Sequence, residues 1–323
     1  MLRRKFIALC GAGVAAWPLT ARGSRPARIG LVSGLNASAA AEFLSALRDG
    51  LAAYGYFDPG SVLIDKRFAD NVLERIPALI EEFERRHVDV IVTHGAATGT
   101  VVKSHRTIPV VYEFSADPVA LGIATDLAHP LLNATGVSLM LAELNSKRLE
   151  ALREIEPTIR RIAIIANPLH PGSEFERKDS ETKAQQLGME ISFYPTPNQE
   201  QLDRALAVIE AGELQAIVLF SDGFIVEHRK QIIAVAMRRG IPVISGWSII
   251  ADSGALCTYG PKLVESYRRV AYFVDRILKG TKASELPIEQ PTVLEFVVNL
   301  KTAKALGITI PATVLARADR VIE

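Results

Sequence analysis

Short apolar runs alternate with amphipathic stretches along the chain from Arg28 to the C-terminus. Ile162–Ala166 and Ala216–Phe220 are apolar throughout, as expected of strands buried on both faces. Residues 39–54 instead carry apolar side chains at helical spacing, at Phe43, Leu47 and Leu51. Buried strands that alternate with helices are typical of parallel sheets with helices on both faces, so the pattern predicts an α/β fold.

The strand–helix rhythm runs through the chain twice, and no Pro- or Ser-rich linker separates the two series. We therefore predict two doubly wound, Rossmann-like lobes joined by a hinge. The predicted strands are 29–32, 62–68, 88–93, 109–113, 134–137, 161–166, 190–194, 216–220, 242–245, 256–259 and 295–299. The predicted helices are 39–54, 72–86, 96–103, 145–155, 172–187, 199–211, 225–239, 248–253, 263–278, 301–306 and 312–316.

The chain is expected to pass between the lobes at three short crossings, near 136–141, 259–261 and 286–291. These crossings divide the chain into an N-terminal lobe of residues 28–139 plus 261–286 and a C-terminal lobe of residues 140–260 plus 287–323. Crossings of this kind allow two lobes to hinge around a shared cleft.

Residues 1–27 have the pattern of an export signal. Arg3, Arg4 and Lys5 precede the apolar run Phe6–Trp17, which is too short to cross a bilayer, and a small-residue exit follows. The arginine pair followed by Lys5 and Phe6 also resembles a twin-arginine signal. The alternative is a basic N-terminal helix that stays on the protein. The export interpretation predicts a periplasmic protein.

Composition excludes some partners. The chain has 323 residues, 49% of them hydrophobic and 23% charged, with a net charge of +1. This is ordinary globular composition, long enough for two domains, and it gives no electrostatic reason to expect nucleic-acid binding. The two cysteines are Cys10 and Cys257, so removal of the signal would leave a chain with no internal disulfide.

Ligands of open parallel sheets bind beyond the carboxyl ends of the strands, so the residues after each strand are the candidates. They are rich in Gly, hydroxyl and acidic groups and poor in Lys and Arg. The same residue types also cap helices or shape turns. The candidate ligand-binding residues are Ser33, Gly34, His94, Gly95, Ala96, Thr98, Phe114, Ser115, Asp117, Asn167, Ser221, Asp222 and Trp247.

The chemistry of these loops predicts a small solute with a carboxylate and an amine. Backbone amides at 95–98 and 33–34 are suited to the carboxylate, because helix N-termini bind anions without a cation. Asp117 and Asp222, from opposite lobes, are expected to face the amine. Apolar walls are expected from Phe114, Phe220 and Trp247.

Signatures of catalysis are missing from the sequence. It contains no G-x-S-x-G elbow, Walker loop or H-E-x-x-H motif, and its six histidines do not pair at metal-ligand spacing. We therefore expect no catalytic residues, no metal and no cofactor. An exported α/β enzyme stays an alternative, because carboxylates such as Asp117 and Asp222 are capable of acid–base chemistry.

Several segments carry a resemblance to a known family. They include Thr107–Val111 leading to Ala116-Asp117-Pro118, Asn133–Val137, Tyr272–Gly280 and Asn299–Ile308. The chain resembles, over nearly its whole length, the bacterial ABC transporter substrate-binding proteins of the tryptophan- or tyrosine-transport-like branch. The C-terminal segments are the most specific to the family.

The resemblance implies a type I periplasmic binding protein fold and a monomeric receptor that delivers a solute to an ABC permease in the inner membrane. His94 stands where a small polar residue is expected, and Phe220-Ser221-Asp222 replaces a commoner Pro-containing version. Both departures concern the identity of the solute. A ligand sensor that serves a signalling partner is an alternative on the same fold.

Overall fold

The computed structural model describes residues 25–104, 107–139 and 141–323. The predicted export signal, with Cys10, lies outside the described residues except for residues 25–27. Two separate sheets organise the chain, as the alternation of apolar runs predicted.

The first sheet has five strands, all parallel, in the order β2-β1-β3-β4-β5. Its strands and helices are β1 (Ala27–Ser33), α1 (Ala41–Ala53), β2 (Val62–Phe68), α2 (Ile76–Arg85), β3 (Val90–His94), α3 (Ala97–Ser104), β4 (Val110–Phe114) and β5 (Ala134–Ser138). The inner strands β3 and β4 are buried along their whole length, as expected where helices cover both faces of a parallel sheet.

The second sheet has seven strands in the order β12-β11-β10-β9-β8-β6-β7, with only the β10–β11 pair antiparallel among the pairs described. Its elements begin with α4 (Leu141–Ile155), β6 (Arg161–Ala166), α5 (Ser173–Gln186), β7 (Glu190–Pro195), α6 (Gln199–Ala211), β8 (Ala216–Leu219) and α7 (Gly223–Arg239). They continue with β9 (Val243–Ser245), α8 (Ser248–Asp252), β10 (Cys257–Pro261), α9 (Leu263–Leu278), β11 (Leu294–Asn299), α10 (Leu300–Leu306), α11 (Ala312–Leu315) and β12 (Arg320–Ile322).

Helix α9 leaves the second sheet and packs on the first one. Phe273 and Val274 from α9 share a core with Phe43 and Leu47 from α1 and with Leu31 from β1. The two helices approach closely at Gly50, where an added β-carbon would lie 2.7 Å from the carbonyl oxygen of Arg268. Only glycine fits there, because the obstacle is backbone rather than a movable side chain.

The chain passes between the sheets three times, after β5, between β10 and α9, and before β11. The first and third passages run side by side: the amide of Ser138 donates to the carbonyl of Glu289 at 2.8 Å, and that of Glu289 donates to the carbonyl of Gly136 at 2.9 Å. Adjacent short passages leave the lobes few covalent constraints on a hinge motion. Among the described helices, none has the length and apolar character to cross a membrane.

Candidate functional site

A cavity of about 520 Å³ lies between the carboxyl ends of the two sheets. One wall comes from the first lobe, including Gly34 after β1 and His94 at the end of β3. The other comes from the second lobe, including Asn167 after β6 and Asp222 before α7. Its volume falls in the range of sites that bind small molecules.

Direct contacts between the lobes close the edges of this cavity. Ser115 Oγ lies 2.5 Å from His170 Nε2, and Asn36 Nδ2 donates to Glu227 Oε1 at 3.2 Å. Gly223 sits so near Leu35 that an added β-carbon would lie 2.5 Å from Leu35 Cδ2. The structure therefore shows the lobes in contact around the cavity.

Eight residues singled out from the sequence line the cavity: Gly34, His94, Gly95, Ala96, Ser115, Asn167, Asp222 and Trp247. They come from both lobes, as expected for residues that follow parallel strands. The Asp222 carboxylate already caps α7 by accepting from the amide of Phe224 at 2.8 Å, and it also accepts from Asn167 Nδ2 at 3.3 Å.

The remaining candidates lie behind the wall or away from it. Ser33 and Thr98 are fully buried, and Ser33 Oγ bonds to the ring of His94 instead of facing the cavity. Ser221 is buried beside Gly246, where its hydroxyl has no hydrogen-bond partner among the described residues. Asp117 uses its carboxylate within its own loop, accepting from the amide of Val119 at 2.8 Å.

Two of the expected aromatic walls belong to the hydrophobic cores. Phe114 packs with Tyr112 on the face of β4 that points away from the cavity, and Phe220 lies in the core of the second lobe. Successive side chains of a strand point to opposite faces, so the residue before Phe114 faces the other way. That residue is Glu113, which lines the cavity.

His94 is held by an aromatic ring and a hydroxyl. Its ring stacks on Phe43 with centroids 4.2 Å apart, and its Nε2 lies 2.9 Å from Ser33 Oγ. Burial lowers the pKa of His94 to about 4, because a charged imidazolium would lose its hydration there. The side chain is therefore neutral near pH 7.

The cavity also contains residues that were not among those predicted from the sequence. Phe43 from α1, Phe224 from α7 and Tyr267 from α9 add aromatic walls to that of Trp247. Tyr267 comes from a helix that returns from the second lobe, so no local pattern marks it. Glu113 was visible as an acidic residue in an otherwise apolar strand, which is a signal for a buried functional group.

Charge in the lining is predominantly acidic. The acidic side chains are Glu42, Glu113, Asp222 and Glu227, while Arg229 is the single Lys or Arg among the lining residues described. Arg229 donates through Nε to Ser253 Oγ at 2.9 Å and through Nη1 to the carbonyl of Val226 at 2.5 Å. Within the described chain it forms no ion pair with a carboxylate.

A buried polar network supports the second-lobe wall. Glu176 accepts from Asn145 Nδ2 at 2.9 Å, and Asn145 accepts in turn from the guanidinium of the fully buried Arg148. His170 Nδ1 accepts from the amide of Gly172 at 3.2 Å, which assigns the ring proton to Nε2 and makes Nε2 the donor to Ser115. The described residues contain no group of three or more potential metal ligands.

Relatives and solved structures share this architecture. A tyrosine-binding protein from Clostridioides difficile is 23% identical over 265 residues, which are 82% of this chain and 75% of that protein. The ABC domain from Streptococcus pneumonia in complex with L-Trp is 21% identical, with a TM-score of 0.84 over 92% of this chain and 100% of that one. The ligand-free, open structure of a substrate-binding protein with adhesive properties from Clostridium difficile is 20% identical, with a TM-score of 0.67 over 92% and 99% of the chains.

The fold is that of type I periplasmic binding proteins, which confirms the fold predicted from the sequence. The family model described as ABC transporter substrate binding protein matches residues 28–322. Proteins of this family are receptors for small-molecule solutes and work with an ABC permease, so the interpretation as an enzyme is set aside. The chain belongs to the ABC transporter substrate-binding protein family.

Proposed function

We propose that this protein is the extracytoplasmic receptor of an ABC importer and closes its two lobes on a small, aromatic, amino-acid-like solute. The observation that carries the proposal is the cavity itself, which both lobes line and which lobe-to-lobe contacts close. A solute that touches both walls binds the closed arrangement better than the open one and so shifts the protein towards closure.

The walls favour an aromatic body. Phe43, Trp247 and Tyr267 converge on the cavity, together with Phe224 across it. Aromatic side chains bury large apolar areas, and their rings favour stacked or edge-on neighbours. A ring of phenyl or indole size fits the volume and these surfaces. Among relatives of the chain, one is a tyrosine-binding protein and another holds L-Trp, which supports this class of solute.

Arg229 is suited to the carboxylate of such a solute. Arg229 lines the cavity and its guanidinium has no carboxylate partner in the described chain, and a planar guanidinium binds carboxylates in a bidentate manner. The loop at Gly95 and Ala96, which leads into α3, adds the backbone amide of Ala96 on the opposite wall, since the amide of Gly95 already donates to the carbonyl of Glu113. This assignment replaces a site made of backbone amides alone, the arrangement expected from the sequence.

The cellular setting follows from the same proposal. The export signal before Arg28 directs the protein to the periplasm, through the twin-arginine route if the pair Arg3-Arg4 is read as such. There the receptor acts as a monomer, hinging between residues 28–139 plus 261–286 and residues 140–260 plus 287–323, and delivers the solute to a permease of the inner membrane.

The test is isothermal titration calorimetry of the purified protein with L-tyrosine, L-tryptophan, glucose and myo-inositol, paired with thermal unfolding. A ligand that binds only the native state raises the melting temperature by mass action. We expect binding and stabilisation by at least one aromatic amino acid and by neither neutral polyol. Tight binding of a polyol, with no effect of either amino acid, would refute this solute class and leave the receptor role intact.

A further inference from the structure

Three side chains form a row across the cavity end of the first sheet. The register pairs Ser33 of β1 with His94 of β3, and His94 with Glu113 of β4. Leu31, Val92 and Val111, two residues earlier on each strand, all lie in the core beneath α1 and α9. Because side chains alternate along a strand, Ser33, His94 and Glu113 face the same two helices.

Glu113 occupies the end of this row, where the described residues offer it no counter-charge. Its side chain is only 3% exposed and lies on the cavity wall. Within the described chain no Lys or Arg forms an ion pair with it, and the hydrogen bond that favours its charged form comes from the backbone of Gly95. A buried carboxylate with no cationic partner is strongly disfavoured, so it takes up a proton or a cation from the cavity.

The neighbours of Glu113 repel an anion and suit a cation. Tyr267 from α9 lies close enough for its ionisation to be opposed by both Glu113 and Glu42, the latter from α1. The Tyr267 ring meets Phe43 edge to face at 4.9 Å. Two carboxyl groups beside aromatic side chains form a favourable environment for an ammonium group, because carboxylates attract it and aromatic rings also attract cations.

We propose that Glu113 receives the ammonium group of the solute and releases its proton to solvent when the solute binds. The inference rests on the proposed function, because it assigns one end of the same cavity. The sequence favoured Asp117 and Asp222 for this role. Asp117 lies outside the lining, and the Asp222 carboxylate already accepts from Phe224 and Asn167. Arg229 at the carboxylate and Glu113 at the ammonium then come from opposite lobes, so only the closed protein engages both charged groups of the solute.

Because of its surroundings, the Glu113 carboxyl is the group in this row that releases a proton near neutral pH. Burial raises the pKa of Glu113 to about 8 in the absence of a solute, while burial lowers that of His94 on β3 to about 4. Burial also raises the pKa of Tyr267 on α9 well above 10, and Glu42 on α1 is an exposed acid.

Within the part of the chain that the structure describes, no other packed element adds a titrating group beside this carboxyl. On β5 the register partner is Val137, and α3 contributes Thr98. Across the cavity His170 bonds to Ser115, two residues beyond Glu113. An ammonium ion held at Glu113 lowers the pKa of this carboxyl, so affinity rises with pH up to about 8, by as much as roughly tenfold per unit.

The experiment compares three ligands that differ only in their charged groups: L-tyrosine, tyramine and hydroxyphenylpropionate, with the matching indole set of L-tryptophan, tryptamine and indolepropionate. Calorimetry at pH 7 in two buffers of different ionisation enthalpy measures the protons released. The variants are Glu113→Gln, which resembles the protonated carboxyl in shape, and Glu190→Gln, which changes an exposed strand residue outside the cavity.

We expect wild type and Glu190→Gln to bind the amino acid and the amine with release of close to one proton. Glu113→Gln is expected to lose roughly thirtyfold or more in affinity for both ligands and to release no proton. Its circular dichroism and melting temperature check that it folds.

Three results would overturn the inference. In the first, hydroxyphenylpropionate or indolepropionate binds wild type as tightly as the corresponding amino acid. In the second, Glu113→Gln binds the amino acid and releases protons like wild type. Either leaves the proposed function standing. Failure of all six ligands to bind wild type would refute the aromatic amino-acid-like solute class and this inference together.

Discussion

Ser115 on the first lobe and His170 on the second share a hydrogen bond of 2.5 Å between Oγ and Nε2, and both residues line the cavity. The Gly172 amide holds the other ring nitrogen, so the imidazole is oriented by its own lobe before it meets Ser115. This contact exists only while the lobes are together. It therefore stabilises the closed arrangement independently of any solute.

Ser115→Ala is expected to weaken closure. The change removes the hydrogen bond and leaves the buried His170 Nε2 without a partner, a cost of about 1–3 kcal/mol. Since the closed state binds the solute, affinity falls by roughly 5- to 150-fold. Small-angle X-ray scattering of the unliganded variant shows a larger radius of gyration than wild type. Ser192→Ala, at an exposed position on β7, serves as the control.

Unchanged affinity and unchanged scattering for Ser115→Ala would mean that other contacts alone determine closure. The Asn36–Glu227 hydrogen bond and the packing of Leu35 on Gly223 are then the remaining candidates.

Gly223→Leu is expected to hold the lobes apart. Even a β-carbon at this position would lie 2.5 Å from Leu35 Cδ2 on the other lobe, so a full side chain acts as a wedge. Neither lobe is disturbed internally, because Gly223 begins α7 and the nearest obstacle comes from the opposite lobe. Scattering with and without saturating ligand reports closure, and Gly99→Leu, with no atom within 4 Å of the added β-carbon, is the control.

Ligand-induced compaction of Gly223→Leu equal to that of wild type would show that Leu35 moves aside. The leucine at position 223 would then not hold the lobes apart, and the close approach of Gly223 to Leu35 would not govern closure.

Arg229→Gln tests the carboxylate end. A charged hydrogen-bond donor to the solute is lost, so binding of L-tyrosine or L-tryptophan weakens by about 1.5–3 kcal/mol. Tyramine and tryptamine, which have no carboxylate, keep their affinity. Arg238→Gln changes the same helix at an exposed arginine paired with Glu210, and is expected to bind like wild type. Equal losses for amines and amino acids would point to a structural effect rather than to carboxylate binding.

Asp117→Asn separates the two assignments of the ammonium site. The sequence placed Asp117 in the cleft because it follows a strand, yet its Oδ1 accepts from the amide of Val119 within the loop. Asparagine keeps that oxygen, so we expect unchanged solute affinity by calorimetry. A decrease in solute affinity of more than about tenfold, which corresponds to about 1.4 kcal/mol of binding free energy, would instead identify Asp117 as a binding residue.

The fold was readable from the sequence because apolar periodicity is local. Strands such as Val62–Phe68 and Arg161–Ala166 and the helix Leu263–Leu278 have the predicted bounds. The short edge strand β12 (Arg320–Ile322) was missed, since three residues carry no periodic pattern. Its partner, β11 (Leu294–Asn299), is apolar enough to be found.

Only part of the cavity lining could be predicted from the sequence, because the position of a residue after a strand does not determine the direction of its side chain. Phe114 directly follows a predicted strand, but the alternation of side chains along β4 turns it into the core and turns Glu113 to the cavity. Arg229 lies on the second turn of a helix, and Tyr267 arrives from a distant part of the chain. Their placement depends on tertiary packing that no local pattern encodes.

Glu113 is also expected to set the pH dependence of stability. The pKa of its carboxyl is about 8 in the folded protein against an ordinary 4.5, so between these values only the folded state keeps the proton. This contribution is fully present below pH 4.5 and is lost as pH rises through 8. His94, with a pKa of about 4 against 6.5, acts oppositely, because the unfolded state alone binds its proton in that interval and stability falls as pH drops.

Of these two groups, only the Glu113 carboxyl therefore contributes between pH 6.5 and 8, above the titration range of His94. Urea unfolding of the unliganded protein across this window is expected to show wild type losing about 2 kcal/mol relative to Glu113→Gln, from roughly 1.4 kcal/mol per pH unit. Glu190→Gln should follow wild type. Parallel curves for wild type and Glu113→Gln would mean that Glu113 is already ionised in the folded protein. A cation other than the solute ammonium would then have to neutralise the Glu113 carboxylate.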